Sequence, residues 1–507
     1  MSLPDWTDPL YEAGEMRAVD AWAIEEQGVP SLDLMERAGE GLTRLTADVA
    51  TGPGPVRVVV GKGNNGGDGL VVARLLRQEG REVEVMATGD VSELSGDPAA
   101  NLERMPGPPP GPFEPGRLAG AGAIVDAMLG TGFEGEPREP IAGAIAAING
   151  SGAPVVACDV PSGVNASNGE VLGDAVRATV TGTFHGSKIG LHVAPGAFHS
   201  GDVRIVPIGV PRGAPEPAVA GLISERVLGL VPSRPRDGSK FKSGVVVIAA
   251  GSRGLTGAPT MVALAAQRTG AGYVQCAVPA SAEQSLELRL LEAMTRGLPE
   301  DDGAHTEQGA EVVAEMAERA GAVVLGPGIG KGEGAQAFAH AVARTIEKPL
   351  VIDADGLNAF AGSLDTLRER PGPTVLTPHA GELGRLLDRE SSEVEDHRLS
   401  AAREAAEQSG CVVLLKGDDT IVAAPGGPVV VSPGATPALA TAGTGDVLAG
   451  IIGALLSKGL DPLEGAAAGT LAHARAGFAA AGRHGADHVI AGDVIDCIPA
   501  GMRRDPR

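Results

Sequence analysis

Short runs of aliphatic and β-branched residues alternate along this chain with segments of helical periodicity, and this alternation constrains the fold most. Val56–Val60 is one such run, and the helical segment Leu70–Gln78 follows it and ends at Gly80. A parallel sheet with helices on both faces is the arrangement that buries both patterns. The sequence therefore predicts an α/β fold.

The alternation occurs twice. The chain has 507 residues, which is too long for one ordinary domain. Prolines become frequent between Pro207 and Pro235, and after them the strand pattern restarts at Val245–Ala250. We therefore expect an N-terminal domain over residues 1–215, a C-terminal domain over residues 225–507, and a linker over about residues 207–243.

Charge and composition exclude several classes of partner. The formal net charge is −23, so nothing in the chain neutralises phosphates in bulk. This argues against nucleic acid or an anionic membrane as a partner, and no apolar stretch is long enough to span a membrane. The start of the chain lacks the basic and apolar regions of a signal peptide, and the four cysteines form no CxxC pair. We expect a cytoplasmic protein.

Two glycine–aspartate loops, residues 61–69 and 441–446, each lie at the start of a predicted helix. Glycines let backbone amides approach an anion, and a helix N-terminus adds positive potential. A phosphate repels a neighbouring carboxylate, so Asp446 needs a reason to be there. Taking a proton from an attacking hydroxyl group during phosphoryl transfer is one such reason. The alternative is that Asp446 only caps its helix.

Polar motifs follow other strands of the C-terminal half. Ligands bind at the carboxyl ends of strands in parallel sheets, so these motifs predict one shared cleft, in which a lysine could meet a nucleotide phosphate. The motifs are Gly326–Gly330, Asp353–Asn358, Thr377–Glu382 and Lys416–Thr420.

Together with Gly251-Ser252 and Gly257-Ala258, these motifs resemble the ribokinase-like superfamily and, more narrowly, the ADP/ATP-dependent NAD(P)H-hydrate dehydratases, over about residues 225–500. The resemblance implies that Asp446 is the general base and that Mg²⁺ accompanies the phosphates. The residues do not decide between ADP and ATP; the lack of a transit peptide and the fused domain order favour the bacterial type, and hence ADP as the co-substrate. It implies a substrate site formed by Ala258, Gly328, His379 and Asp446, and a nucleotide site formed by Lys416, Gly417, Asp418, Asp419, Thr420 and Gly445.

Oxygen-bearing side chains also follow strands of the N-terminal half. Asn65 lies in the first glycine loop, Asp126 follows an apolar run, and Asp159 and Ser162 follow the next. Oxygen ligands at three strand ends suit a hard cation. The alternative is that the two aspartates only cap the turns that follow them.

These motifs, with Glu15-Met16-Arg17 and Leu34–Gly39, resemble the NAD(P)H-hydrate epimerase family over about residues 10–215. The resemblance implies that Asp159 transfers the proton, with Lys188 as a helper. It implies a potassium site at Asn65, Asp126 and Ser162. The implied substrate-binding residues are Asn64, Asn65, Gly66, Gly67, Asp68, Gly130, Thr131, Gly132, Phe133, Glu134, Gly135, Glu136 and Asp159.

The two resemblances imply a Rossmann-like three-layer αβα domain followed by a ribokinase-like αβα domain. They also imply a bifunctional repair enzyme for hydrated NADH and NADPH. The N-terminal half would interconvert the R and S hydrates, and the C-terminal half would dehydrate the S form with ADP, giving AMP and phosphate. Relatives assemble, so a homo-oligomer is expected. The alternative is a small-molecule kinase with a non-catalytic N-terminal binding module.

Overall fold

The computed structural model describes residues 3–214, 218–234, 236 and 238–504. Residues 1–2 at the chain start, and residues 215–217, 235 and 237 of the predicted linker, lie outside the described part. The chain divides into two compact units. The N-terminal unit is Pro9–Ala220, and the C-terminal unit combines Leu3–Asp8 with Gly221–Arg507.

The start of the chain belongs to the C-terminal unit, whereas the predicted boundaries place it with the N-terminal domain. Trp6 is buried in the core of the C-terminal unit. Its carbonyl accepts a hydrogen bond of 2.7 Å from the Ser224 hydroxyl group, and Asp8 pairs with Arg226. Burial of a large aromatic ring explains why this segment packs there.

The N-terminal unit contains a seven-stranded sheet in which all neighbouring strands are parallel. From edge to edge the strands are Gly111–Pro112, Val83–Ala87, Val56–Val60, Ala123–Ala127, Val155–Cys158, Val180–Phe184 and Asp202–Val206. The short strand Ser187–Lys188 pairs in parallel with the end of Thr7–Tyr11.

Both faces of this sheet are covered. Val58 and Val60 pack with Leu70 on one face, whereas Val59 packs with Ile145 on the other. The α-helices are Ala13–Ala21, Ser31–Val49, Asn64–Gln78, Gly96–Glu103, Ile141–Gly150 and Ala197–Ser200. A π-helical turn spans Trp22–Glu26, and 3-10 turns span Val91–Glu93, Pro115–Leu118 and Ile189–Leu191.

The central strands of the C-terminal unit are parallel, and two antiparallel strands extend them. In spatial order the strands are Met294–Leu298, Tyr273–Pro279, Val245–Ala249, Ala322–Leu325, Leu350–Ile352, Thr374–Leu376, Val412–Leu415, Ile421–Ala423 and Val429–Val431, followed by Ala220–Ile223. Glu300–Asp301 and Ala304–His305 form a separate hairpin.

Helix Thr444–Ser457 is buried along most of its length, and the helices Gly257–Thr269, Pro462–His484 and Ala491–Gly501 pack against it. Gly450 lets this helix approach Gly257–Thr269 closely, because a Cβ atom there would overlap the Val262 carbonyl oxygen. The other α-helices are Ala280–Glu287, Gly309–Ala317, Glu333–Thr345, Asp355–Asn358, Ala380–Leu387, Ser391–Asp396 and Arg398–Ser409. The 3-10 turns are Glu225–Leu230, Leu364–Glu369, Pro437–Leu439 and Ala486–His488.

The predicted α/β fold class is confirmed. Strand Val56–Val60 has the predicted bounds, and the Ala/Gly-rich tail forms two helices, Thr444–Ser457 and Pro462–His484. No helix in the described part of the chain is both long and apolar enough to cross a membrane.

Candidate active sites

A cavity of about 810 Å³ opens in the N-terminal unit. Its wall is formed in part by loops that follow three strands, Val56–Val60, Ala123–Ala127 and Val155–Cys158. The cavity therefore lies at the carboxyl ends of the strands of this sheet. The sequence-predicted residues that line it are Asn64, Asn65, Asp68, Gly130, Thr131, Gly132, Phe133, Asp159 and Lys188.

Five predicted substrate residues do not line this cavity. Gly66 and Gly67 are buried behind it in the first turn of helix Asn64–Gln78. A Cβ atom at Gly66 would overlap the Gly61 carbonyl oxygen, and one at Gly67 would lie 2.7 Å from the Met35 sulfur. These glycines therefore permit close packing. The remaining three, Glu134, Gly135 and Glu136, are exposed in the following loop.

Asp159 and Lys188 form the charged centre of the cavity. The Lys188 ammonium lies 2.6 Å from Asp159 Oδ1 and also donates to Thr183 Oγ1 and the Phe184 carbonyl oxygen, both at 3.0 Å. The hydroxyl group of Thr131 donates to Asp159 Oδ2. Burial alone would raise the pKa of Asp159, but Lys188 and these donors outweigh it and hold that pKa below its usual value.

Two further carboxylates face this pair. Burial raises the pKa of Asp68 well above its usual value, and the charges of Asp159 and Asp20 raise it further. Burial also raises the pKa of Asp20 to about 6, against the opposing effect of Lys188. Asp20 lines the cavity, yet it was missed in the sequence analysis. Its spacing of four residues from Met16, on the same helix face, was the available signal.

Asn65, Asp126 and Ser162 come together around Leu129. The Asn65 amide donates to the Leu129 carbonyl oxygen at 2.7 Å, and Ser162 Oγ accepts from the Leu129 amide at 2.9 Å. Ser162 Oγ in turn donates to Asp126 Oδ1 at 2.6 Å. Burial raises the pKa of Asp126 to about 6, although hydrogen bonds from Ser162 and Met128 oppose this. The three predicted cation ligands therefore form one oxygen-rich cluster.

Lys416 is the positive centre of the second site, in the C-terminal unit. Its ammonium lies 2.8 Å from Asp353 Oδ1 and 3.6 Å from Glu382 Oε2. Thr377 Oγ1 also donates to Asp353 Oδ1, at 2.8 Å. Burial opposes the charge of Lys416, but the neighbouring carboxylates outweigh it and raise the pKa of Lys416. Strand ends therefore converge here, as the predicted shared cleft requires.

Asp446 lies in the first turn of helix Thr444–Ser457, beside this group. Burial raises its pKa to about 7; Asp353 and Asp355 add to that effect, and Lys416 opposes it. A carboxylate with such a pKa can both accept and release a proton near neutral pH. The side chain of Asp446 is not the N-cap, because Gly443 holds that position with φ of +91°.

The remaining predicted dehydratase residues lie on neighbouring loops. Gly328 has φ of +68°, and a Cβ atom there would lie 3.2 Å from the Ala258 Cβ atom, so the two loops touch. The Gly328 carbonyl oxygen accepts from Ser252 Oγ at 2.9 Å. His379 caps helix Ala380–Leu387 through Nδ1.

The predicted nucleotide loop Lys416–Thr420 is only partly open to solvent. Gly417 and Asp418 are exposed, whereas Asp419 and Thr420 are buried. Asp419 forms an ion pair of 2.9 Å with buried Arg398, whose guanidinium also binds the Lys416 carbonyl oxygen. Asp419 therefore holds the shape of the loop. Sequence analysis quoted the motifs containing Asp353, Asp355 and Glu382 but gave these side chains no role.

Known proteins match both units. Residues 245–500 match the family model described as NAD(P)H-hydrate dehydratase, and residues 31–190 match the one described as YjeF-related protein N-terminus. A bifunctional NAD(P)H-hydrate repair enzyme Nnr from Salinibacter ruber is 42% identical, over 97% of this chain and 95% of that protein. One of the same name from Moorella thermoacetica is 37% identical, over 97% and 96%.

The chain belongs to the family of bifunctional NAD(P)H-hydrate repair enzymes. The resemblance inferred from the sequence motifs, and with it the prediction of an enzyme, are thereby confirmed. Among solved structures, an ADP/ATP-dependent NAD(P)H-hydrate dehydratase from Bacillus subtilis is 28% identical, with a TM-score of 0.48, and covers 55% of this chain and 96% of that one. In this repair-enzyme family member, the cavity around Asp159 lies in the YjeF-related unit and Asp446 lies in the dehydratase unit.

Proposed function

We propose that the C-terminal unit dehydrates the S hydrate of NADH or NADPH at the expense of ADP, and that the N-terminal unit interconverts the R and S hydrates. The relatives that match over almost the full chain carry the bifunctional name. The observation that carries the proposal is the position of Asp446, at a glycine-rich helix start beside Lys416, with a pKa raised to about 7.

In the dehydratase step, Asp446 accepts the proton of the hydroxyl group on the hydrated ring. The hydroxyl oxygen then attacks the terminal phosphate of ADP, and AMP leaves. Lys416 compensates negative charge on the phosphates, and the amides around Gly445 are available to a phosphate oxygen. Phosphate then leaves as the ring nitrogen lone pair forms a carbon–nitrogen double bond, and loss of a proton from the adjacent ring carbon to solvent restores the dihydronicotinamide. The proposed substrate contacts are Ala258, Gly328, His379 and Asp446. The proposed nucleotide contacts are Lys416, Gly417, Asp418, Thr420 and Gly445, with Asp419 shaping their loop through Arg398.

Magnesium fits the dehydratase site. Asp353, Glu382 and Asp446 act on the Lys416 ammonium, and Asp355 acts on Asp446, so the acidic groups of the site outnumber this ammonium group. No cluster of three or more His, Cys, Asp or Glu side chains in the described ranges could hold a metal by itself. Mg²⁺ commonly binds through substrate phosphates and one or two carboxylates, so this set suffices. When bound, it would shield the phosphate charges.

Potassium fits the epimerase site at Asn65, Asp126 and Ser162. The Asp126 carboxylate is completely buried, and its neighbours are neutral hydrogen-bond donors. A monovalent cation would neutralise it without demanding the rigid geometry of a smaller divalent ion. When bound, the cation would orient substrate oxygen atoms. We assign the proton transfer to Asp159, with Lys188 as its partner, and substrate binding to the predicted residues that line the cavity, which are Asn64, Asn65, Asp68 and Gly130–Phe133.

The cellular setting is part of the same proposal. Cys158, Cys276, Cys411 and Cys497 are buried and unbridged, which agrees with a reducing cytoplasm. The net charge of −23 argues against nucleic acid and anionic membranes as partners. Leu288 and Leu291 are 80% and 86% exposed, so an apolar surface is available for a homo-oligomer.

The full chain incubated with S-hydrated NADH, ADP and Mg²⁺ should restore the absorbance band of the reduced cofactor. R-hydrated NADH should be consumed as well, through the N-terminal unit. No recovery of the band, together with ADP-dependent phosphorylation of an alcohol substrate, would instead establish the small-molecule kinase. Recovery from the S form alone would leave the N-terminal unit a binding module.

A further inference from the structure

The cavity of the N-terminal unit holds more acidic groups than its one buried cation can neutralise. Asp20, Asp68 and Asp159 all line it, and each interacts electrostatically with at least one of the others. Lys188 is 1% exposed, and Asp159 is the carboxylate within ion-pair distance of it in the described part of the chain. A nearly buried group of three negative charges and one positive charge is unfavourable, so at least one carboxyl group must hold a proton.

The surroundings of the three carboxyl groups distinguish their protonation states. Asp159 accepts from Lys188, Thr131 and the Phe184 amide, so it is the ionised member. Asp68 is 6% exposed, and burial together with the charges of Asp159 and Asp20 raises its pKa far enough to outweigh the Cys158 thiol, which donates to Oδ2 at 3.9 Å, so Asp68 keeps its proton. Asp20 is only half-buried. Its proton is therefore the one that can exchange with a ligand in the cavity.

We infer that Asp20 is a second catalytic residue of the epimerase site, acting as the general acid while Asp159 acts as the base. The inference rests on the proposed epimerase function. Asp20 reaches the cavity from helix Ala13–Ala21, whereas Asp159 follows strand Val155–Cys158, so the two carboxyl groups approach a bound ring from separate elements. Two carboxyl groups in one site whose environments favour opposite protonation states are suited to acid and base roles.

The chemistry of the substrate requires one group of each kind. A dihydronicotinamide is an enamine, so hydration places the hydroxyl group on the carbon bonded to the ring nitrogen. Asp20 donates its proton to that hydroxyl group, the carbon–oxygen bond breaks, and water leaves as the nitrogen lone pair forms a carbon–nitrogen double bond. Water then adds to the opposite face, and Asp159 accepts its proton. One water leaves and one enters, and the proton returns from Asp159 to Asp20 through the cavity solvent.

The test is Asp20→Asn in the full chain, with epimer exchange of pure R-hydrated NADH followed by chromatography. We expect kcat to fall about 100-fold, as for loss of a general acid, while KM changes less than about threefold. The wild-type rate should decline as the pH rises above about 6, because it requires protonated Asp20, and D20N should lose this decline. Other charged groups lie around Asp20: Asp68, Asp159 and Lys188 face it from other elements, and Arg17 lies on the same helix as Asp20. The pH profile is therefore also recorded for Asp68→Asn, which should still show the decline above about pH 6.

Asp33→Asn is the matched control, since Asp33 is exposed and does not line the cavity. D33N should epimerise at the wild-type rate. Dehydration of the S hydrate by D20N should stay unchanged, and urea unfolding of D20N with the wild-type transition shows that the N-terminal unit is folded as well. Asp20→Glu keeps a carboxyl group and should retain more activity than D20N. If D20N exchanged the epimers at the wild-type rate while D159N was inactive, the catalytic role of Asp20 would be overturned and the epimerase function would stand. Absence of exchange in the wild-type protein would overturn the epimerase function itself.

Discussion

Lys188 and Asp159 form a buried ion pair in the N-terminal unit, with 2.6 Å between Nζ and Oδ1. Arg204 and Asp202 form a pair with the same 2.6 Å separation in the same unit, but their side chains are 62% and 58% exposed. The two pairs therefore differ mainly in burial. Removing the cation from each compares an unpaired buried carboxylate with an unpaired solvated one.

Lys188→Met should lower the free energy of unfolding by about 3–5 kcal/mol near neutral pH, because it leaves a buried carboxylate without a partner. Arg204→Met should cost no more than about 1 kcal/mol. The pKa of Asp159 is held low, so its contribution is present above the unfolded pKa of about 3.9 and is lost as the pH falls through the folded value. Urea unfolding at several pH values measures both effects. Equal costs for the two variants would show that the Lys188 pair is not a structural contact of the cavity.

Asp446→Asn should reduce dehydration of S-hydrated NADH by about 10²–10⁴-fold, because the general base is lost. The wild-type rate should rise with pH through about 7, where Asp446 loses its proton. The raised pKa also means that Asp446 lowers the stability of the folded state progressively as the pH rises from the unfolded pKa of about 3.9 to about 7, and by a constant amount above that. D446N should therefore be more stable than the wild type in alkaline solution, and the difference should vanish in acid.

Asp487→Asn is the control for that substitution, since Asp487 is exposed in the 3-10 turn Ala486–His488. It should leave both the rate and the stability unchanged at every pH. A pH-independent rate in the wild type, or a D446N variant with normal turnover, would remove Asp446 from the base role. Steady-state kinetics and urea titrations on the same samples separate the catalytic effect from the effect on stability.

Strands with a continuous apolar run could be predicted from the sequence, because burial on both faces leaves no polar position to confuse the pattern. Val56–Val60 matches its predicted bounds, and the run predicted at Val245–Ala250 forms the strand Val245–Ala249. Thr7–Tyr11 was missed because a proline at its centre and an aspartate hide the strand pattern. Asp202–Val206 was missed because it lies at a sheet edge, where only Val206 is fully buried.

The motifs also predicted which loops form each site, since they follow strands of one parallel sheet. They could not predict which side chains in a loop face the ligand. Asp419 and Asp418 are adjacent in sequence, yet one is bound to Arg398 and the other is exposed. Arg398 precedes Asp419 by 21 residues, and only tertiary packing brings them together. The roles proposed for the site residues stay predictions until variants are measured.

Gly443 and Gly445 should respond in opposite ways to replacement by alanine. Gly443→Ala should destabilise the C-terminal unit by about 1–2 kcal/mol or more, because φ is +91° and the new methyl group would overlap the Met261 sulfur. Gly445 lies in a helical turn with room for a methyl group, so Gly445→Ala should leave the free energy of unfolding unchanged or raise it slightly. That methyl group would lie 3.5 Å from the Lys416 ammonium, so the KM for ADP should rise. Thermal unfolding and ADP titrations measure the two effects; a normal KM in G445A would place the phosphates elsewhere.

Replacing potassium by tetramethylammonium should slow epimerisation and leave dehydration of the S hydrate much less affected, because the proposed potassium ligands lie in the N-terminal unit. Ser162→Ala removes a hydroxyl group bonded to both Asp126 and the Leu129 amide. The potassium concentration for half-maximal epimerisation should then rise about 10-fold or more. Ser151→Ala removes a comparable hydroxyl group that donates to the Ile148 carbonyl oxygen and accepts from the Ala153 amide, away from the proposed potassium ligands, and it should leave the potassium titration unchanged. An S162A titration that overlays the wild-type curve would exclude potassium from the cluster around Leu129.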